Sequence, residues 1–229
     1  MQNSNGMKYS IIRSFERNFI KILTALLVCL QLWGCSVSNG SKNSSKIDLK
    51  DSSKINIPDT IWLELNHAGA LRETLVYVPE SYEGTQAVPL LLNFHGYGGF
   101  AANHLLTSDF RQLAEEQTFL LAYPQGSLLD GSPHWNPSPP SATNKSTVDD
   151  FGFIDSLIDN LSATYRIDEE RVYAVGYSNG AMLAFGLACY RGERIAAVGS
   201  VSGTMLTDVG NLCQPSQPTA VITLSLIHI

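Results

Sequence analysis

The segment Gly176-Tyr177-Ser178-Asn179-Gly180 holds the chain's clearest chemistry. It reads G-x-S-x-G between an apolar run that suits a strand and a segment that suits a helix, the setting of a nucleophilic serine on a sharp strand-to-helix turn. Small flanking residues let the turn close, so that Ser178 Oγ projects clear of the sheet. The helix N-terminus beneath it favours negative charge. A second segment, His95-Gly96-Tyr97-Gly98-Gly99, follows the apolar run PLLLNF at 89–94. Its glycines would let backbone approach a developing oxyanion closely. The expected donors are the backbone N–H groups of Tyr97 and Asn179, with Ser178 attacking an acyl carbon to form an acyl-enzyme. His95 precedes the serine and is expected to orient the loop rather than act as base. The plain alternative is a glycine-rich turn whose serine caps a helix.

Such a nucleophile needs a base and an acid, in the chain order serine, acid, histidine. After Ser178 the only histidine is His228 and the only acids are Glu193 and Asp208. Asp208 comes one element too early, and His228 lies only a few residues past a strand start. Residues 224–229 read LSLIHI, the translation of CTG TCT CTT ATA CAC ATC, the end sequence of a common transposon-derived sequencing adapter. The expectation is that 224–229 are not native, that the natural protein continues past Thr223, and that the chain as it stands is inactive. Neither a metal nor a cofactor is expected.

The elements that must position these groups follow from periodicity. Thr60–Asn66 and Leu71–Val78 alternate as an antiparallel hairpin. Pro89–Phe94 suits a strand buried on both faces. A helical segment is expected around Ser108–Gln117, a strand at Phe119–Tyr123, and loop over Pro124–Thr147, with its five prolines. Val148, Phe151, Ile154, Leu157, Ile158, Leu161 and Tyr165 share one face of a helix over Val148–Tyr165, with Thr147 before it as the expected cap and Asp149 and Asp150 in its first turn. Arg171–Val175, Ile195–Val201 and Thr219–Leu224 read as strands, and Ala181–Cys189 as a helix. This alternation predicts an α/β fold, a mostly parallel sheet with helices on both faces.

The segments LVYVPESY (75–82), HGYGG (95–99), YPQGS (123–127), HWN (134–136), DDFGFIDSLID (149–159), YRIDEERVYAVGYSNGAM (165–182), LAC (187–189), IAAVGSVSGTM (195–205) and CQP (213–215) carry a resemblance. Residues 71–223 resemble the polyhydroxybutyrate depolymerase-like and feruloyl esterase-like group of α/β-hydrolases. The resemblance implies an α/β-hydrolase fold, incomplete at the C-terminus. It implies a secreted serine esterase acting on polyester or on feruloylated or acetylated polysaccharide. In that group the acid follows the strand that begins here at Thr219, and the histidine comes later. Trp135 either lines the substrate site or belongs to the core. A peptidase-like hydrolase and a non-catalytic surface binding protein on a hydrolase scaffold are the competing readings.

The N-terminus reads as an address. Residues 1–34 carry a net charge of +3, and Ile22–Trp33 is an apolar run broken only by Thr24 and Gln31. That is too short to span a bilayer but suits a secretory signal. It ends Leu32-Trp33-Gly34-Cys35, which resembles a bacterial lipobox with Cys35 as the lipidated residue. The expected organisation is a signal peptide (1–34), a flexible Ser/Lys/Asn tether (35–54), a partial hydrolase domain (55–223) and the 224–229 tail. The protein is then exported, held to the bacterial cell envelope at the outer membrane or cell surface through lipid on Cys35, or secreted. In an exported protein Cys189 and Cys213 either form a disulfide or remain two buried thiols. From Ile55 onward 7 basic residues face 18 acidic ones. That balance argues against nucleic acid and leaves an ester as the expected partner.

Overall fold

The computed structural model describes residues 56–138 and 145–225. The signal, the lipobox with Cys35, the whole tether and His228 lie outside the described residues. Seven strands form one sheet: β1 (Thr60–His67), β2 (Ala70–Tyr77), β3 (Val88–Phe94), β4 (Leu120–Pro124), β7 (Ile167–Tyr177), β8 (Ala197–Val201) and β9 (Ala220–Leu224). Their spatial order is β1-β2-β4-β3-β7-β8-β9. The β1/β2 and β2/β4 pairs are antiparallel and the other four are parallel. β9 includes Leu224, paired with Val201, so the strand runs one residue past Thr223.

From β3 the chain first crosses to β4 on one side and later returns as β7 on the other. Such a reversal of direction, here at the carboxyl ends of β3 and β7, is where open α/β sheets place their ligands. Leu90–Phe94 is buried throughout, as a strand covered on both faces must be. Helices α1 (Ala101–Thr107) and α2 (Arg111–Gln117) pack on β4, and α4 (Asn179–Tyr190) on β7 and β8. Helix α3 (Asp150–Thr164) buries Phe151, Ile154, Leu157, Ile158 and Leu161, the stripe that its 3- and 4-residue spacing implies. These side chains meet Leu90, Leu92, Val172, Leu183 and Leu187 in one core.

Four local expectations are corrected. The start of α3 is capped by Asp149, whose carboxylate accepts from the Gly152 N–H at 2.9 Å, and not by Thr147. The helical segment expected around 108–117 begins only at Arg111, and a separate helix, α1, comes before it, the chain breaking at Ser108–Phe110. The stretch 124–147 is not all loop: β5 (Ser127–Leu129) and β6 (Ser132–His134) form a hairpin. Its turn is Asp130-Gly131, with φ of 50° and 81°, the left-handed pair that favours Asp-Gly. The strand expected at 171–175 runs from Ile167 to Tyr177 and so delivers the chain directly to Ser178.

Cys189 and Cys213 are joined as a disulfide with their Cα atoms 5.4 Å apart, fastening the end of α4 to the segment after α5 (Thr207–Leu212). Among the described residues no helix is long and apolar enough to cross a membrane.

Candidate active site

β3 and β7 are neighbours in register, with Phe94 opposite Gly176. The loops that leave their carboxyl ends are therefore adjacent. Ser178 sits between β7 and α4 at φ 52°, ψ −114°. This is a conformation L-residues avoid, and it is held only because the surroundings over-determine it. The two glycines of the motif are required by contact. A Cβ on Gly176 would lie 2.3 Å from the Gly180 carbonyl group, and one on Gly180 would lie 2.4 Å from the Phe94 carbonyl oxygen and 2.5 Å from that of His95. α4 thus starts directly against the last carbonyls of β3.

The 95–99 loop closes over the same point. A Cβ on Gly96 would lie 3.4 Å from Ser178 Cβ and 3.0 Å from the Tyr177 ring. Among the described residues the backbone N–H groups of Tyr97 and Asn179 have no acceptor, and Ser178 Oγ has no hydrogen-bond partner. Two free N–H groups flanking a strained serine, one of them in the first turn of a helix, are the kind of donors that an oxyanion site requires.

His95 is buried and its two ring nitrogens are both committed. Nδ1 donates to the Gly96 carbonyl at 2.7 Å, and Nε2 accepts from the Gly126 N–H at 2.9 Å. Burial pushes its imidazole down to about 4, against the pull of the bond to Gly96. A neutral ring with no free nitrogen fastens the loop rather than moving protons.

Trp135 does not line a substrate surface. It is 1% exposed, packed edge-on against Phe94, and its indole N–H donates to the His95 carbonyl at 2.9 Å. Reading the sequence alone missed the Asn179 side chain. Its Oδ1 accepts from the Trp135 N–H at 2.7 Å and its Nδ2 donates to the Trp135 carbonyl at 2.9 Å. Reading the sequence also missed Arg72 and Asp150, a buried pair at 2.7 Å. Asp150 accepts in addition from the Asn136 N–H at 2.7 Å, and the guanidinium lies 3.9 Å above the Phe153 ring.

Neither acid that follows Ser178 is placed as its partner. Glu193 accepts from the Ser216 hydroxyl at 3.2 Å, and Asp208 is exposed in the first turn of α5. His67 bridges Asp149 and Ser156, a serine–histidine–aspartate trio elsewhere on the domain. Ser156 lies inside α3 and donates its hydroxyl hydrogen to the Gly152 carbonyl at 2.8 Å, so it presents no nucleophile.

The comparisons with known proteins agree with this geometry. The family model described as "Putative esterase" matches residues 67–216, which is 150 of the 229 residues. The protein named "Putative esterase NocK" of Nocardia uniformis subsp. tsuyamanensis is 31% identical over 137 residues, covering 59% of this chain and 38% of the relative. Feruloyl esterase B of Piromyces equi is 26% identical over 153 residues, covering 66% of this chain and 28% of the relative. The chain thus spans less than two fifths of the length of these curated relatives. A solved structure of a thermostable esterase superposes with a TM-score of 0.56 at 18% identity, over 71% of this chain and 46% of that one, which shows the α/β-hydrolase fold. With the motif, the fold and a family match over most of the domain in agreement, the chain belongs to the esterase family of α/β-hydrolases and is feruloyl esterase-like.

Proposed function

We propose that this chain carries the nucleophile and the oxyanion site of an exported serine esterase. Ser178 attacks the ester carbonyl, and the Tyr97 and Asn179 N–H groups hold the tetrahedral oxyanion. The alcohol leaves, and water hydrolyses the acyl-enzyme. The observation that carries this reading is Ser178 at φ 52° between two N–H groups without acceptors. The resemblance puts the triad acid and histidine after the strand that holds Thr223; Glu193, bonded to Ser216, and Asp208, exposed in the first turn of α5, do not serve Ser178. The substrate class is a feruloylated or acetylated polysaccharide. Tyr97 and Tyr177, 59% and 46% exposed beside the nucleophile, offer aromatic faces to a planar acyl group or a sugar. Export, with Cys35 as a lipid anchor, places the enzyme where such polymers are met.

The test uses the full-length protein from the resequenced locus, assayed on methyl ferulate, acetylated xylan, short polyhydroxybutyrate and p-nitrophenyl acetate. Ester turnover abolished by Ser178→Ala supports the assignment. Turnover that survives Ser178→Ala overturns it, and hydrolysis of polyhydroxybutyrate alone moves the substrate class. Incorporation of a labelled fatty acid that Cys35→Ser removes tests the anchor.

A further inference from the structure

The two oxyanion donors stand on different loops, Tyr97 after β3 and Asn179 after β7. Strand pairing ends at Phe94 and Gly176, short of both. What joins the loops beyond that point is the segment Pro133–Asn136. The Pro133 carbonyl accepts from the Gly98 N–H at 2.7 Å, and the Trp135 indole donates to the His95 carbonyl, so the segment grips the Tyr97 loop on both sides. Its grip on the other loop is the Asn179 carboxamide, which holds both backbone groups of Trp135. Its far end is fixed by the bond from the Asn136 N–H to Asp150.

We propose that Pro133–Asn136 is a strap that sets the separation of the two oxyanion donors, with the Asn179 side chain and the Trp135 indole N–H as its positioning groups. A side-chain amide that accepts from the N–H and donates to the carbonyl of one residue, on two successive peptide groups, fixes distance and orientation together, which a single hydrogen bond does not. Oxyanion stabilisation depends on donors being organised before the charge develops, and a misplacement of about 1 Å costs about 100-fold in rate. The strap therefore acts on the transition state and little on the bound substrate. The proposal rests on the serine esterase reading of the site.

The experiment measures kcat and KM on p-nitrophenyl acetate, and the inhibition constant of phenylboronic acid as a tetrahedral mimic, in the full-length protein. Asn179→Ala removes both bonds to Trp135 while leaving the residue 179 N–H in place. It is expected to lower kcat by about 10- to 100-fold, with KM within about 3-fold of wild type and boronate binding weakened in parallel with kcat. Asn179→Asp keeps the acceptor and loses the donor, and should fall between. Trp135→Phe keeps the packed ring but loses the indole N–H; it should lower kcat in the same manner and carries the test if Asn179→Ala does not fold. A kcat within about 3-fold of wild type in a folded Asn179→Ala or Trp135→Phe protein overturns the strap, as does a loss confined to KM. Ser178→Ala in parallel separates the two failures: if it leaves the rate intact, the reading of the site is wrong, whereas if it abolishes the rate and the strap variants are normal, only the strap is.

Discussion

Gly180→Ala tests how the site is held together, because its effect can be worked from one contact. The added methyl would sit 2.4 Å from the Phe94 carbonyl oxygen and 2.5 Å from that of His95. A carbon meets an oxygen comfortably at about 3.4 Å, so the start of α4 must move about 1 Å away from β3. Both obstacles are backbone, so no side-chain rotation relieves them. The fold should lose about 3 kcal/mol, the upper end of overpacking costs. For a domain of this size that lowers Tm by about 6–12 °C. The displacement moves the first turn of α4, which carries the Asn179 N–H, away from the end of β3, which leads into the Tyr97 loop, so kcat should drop by about 100-fold in the full-length protein. Gly98→Ala is the control. Gly98 has φ +74° but open space around its Cβ position, so it should cost only about 1 kcal/mol through backbone strain. Urea unfolding and kcat/KM on the two variants check the argument. A Gly180→Ala protein as stable as Gly98→Ala, with undiminished kcat, refutes it.

Other consequences are as direct. Ser178→Gly relieves the backbone strain at φ 52° and should raise stability by about 1 kcal/mol over Ser178→Ala, which keeps it; equal midpoints in urea would remove the strain from the account. Arg72→Met leaves the Asp150 carboxylate buried without its cation and should cost about 3–5 kcal/mol, while adding Asp150→Asn should recover part of that. Calorimetry on the single and double variants decides it. Burial pushes both His95 and His104 down to about 4. Between that value and the ordinary 6.5 the unfolded chain binds protons that the folded one does not. Stability is thus full above about pH 6.5 and lost as pH falls towards 4, by up to about 3 kcal/mol for each ring. Chemical unfolding from pH 7 to pH 4.5 should show this slope, and His104→Gln should reduce it; a slope unchanged by His104→Gln rules out that ring's contribution.

The sheet and the elbow were legible because their signals are local. A buried strand is a run of apolar residues, and the 149–161 stripe repeats at helical spacing. The glycines at 176 and 180 mark a turn too tight for side chains. The positioning network was not legible, since its members pair across 44 residues between Trp135 and Asn179 and 78 between Arg72 and Asp150. Nothing in a sequence without periodicity, such as 124–147, tells a core tryptophan from a surface one. The β5/β6 hairpin did announce itself through Asp130-Gly131, but the surrounding prolines argue for loop. Asp149 prevailed over Thr147 as cap because it sits three residues before the N–H it must reach. The disulfide could not be read from two cysteines alone, since pairing depends on where α4 ends against the segment after α5.

The placement of Trp135 has an optical consequence. Its indole is sealed from water, tilted against the His95 ring with centroids 5.1 Å apart, and bonded to the His95 carbonyl. A buried indole emits at short wavelength, and a protonated imidazole quenches indole emission where a neutral one does so far less. With Trp33 and Trp62 replaced by phenylalanine, the molecule carries a single fluorophore at the root of the 95–99 loop, whose emission should follow both the proton on His95 and the seating of that loop without any label being attached.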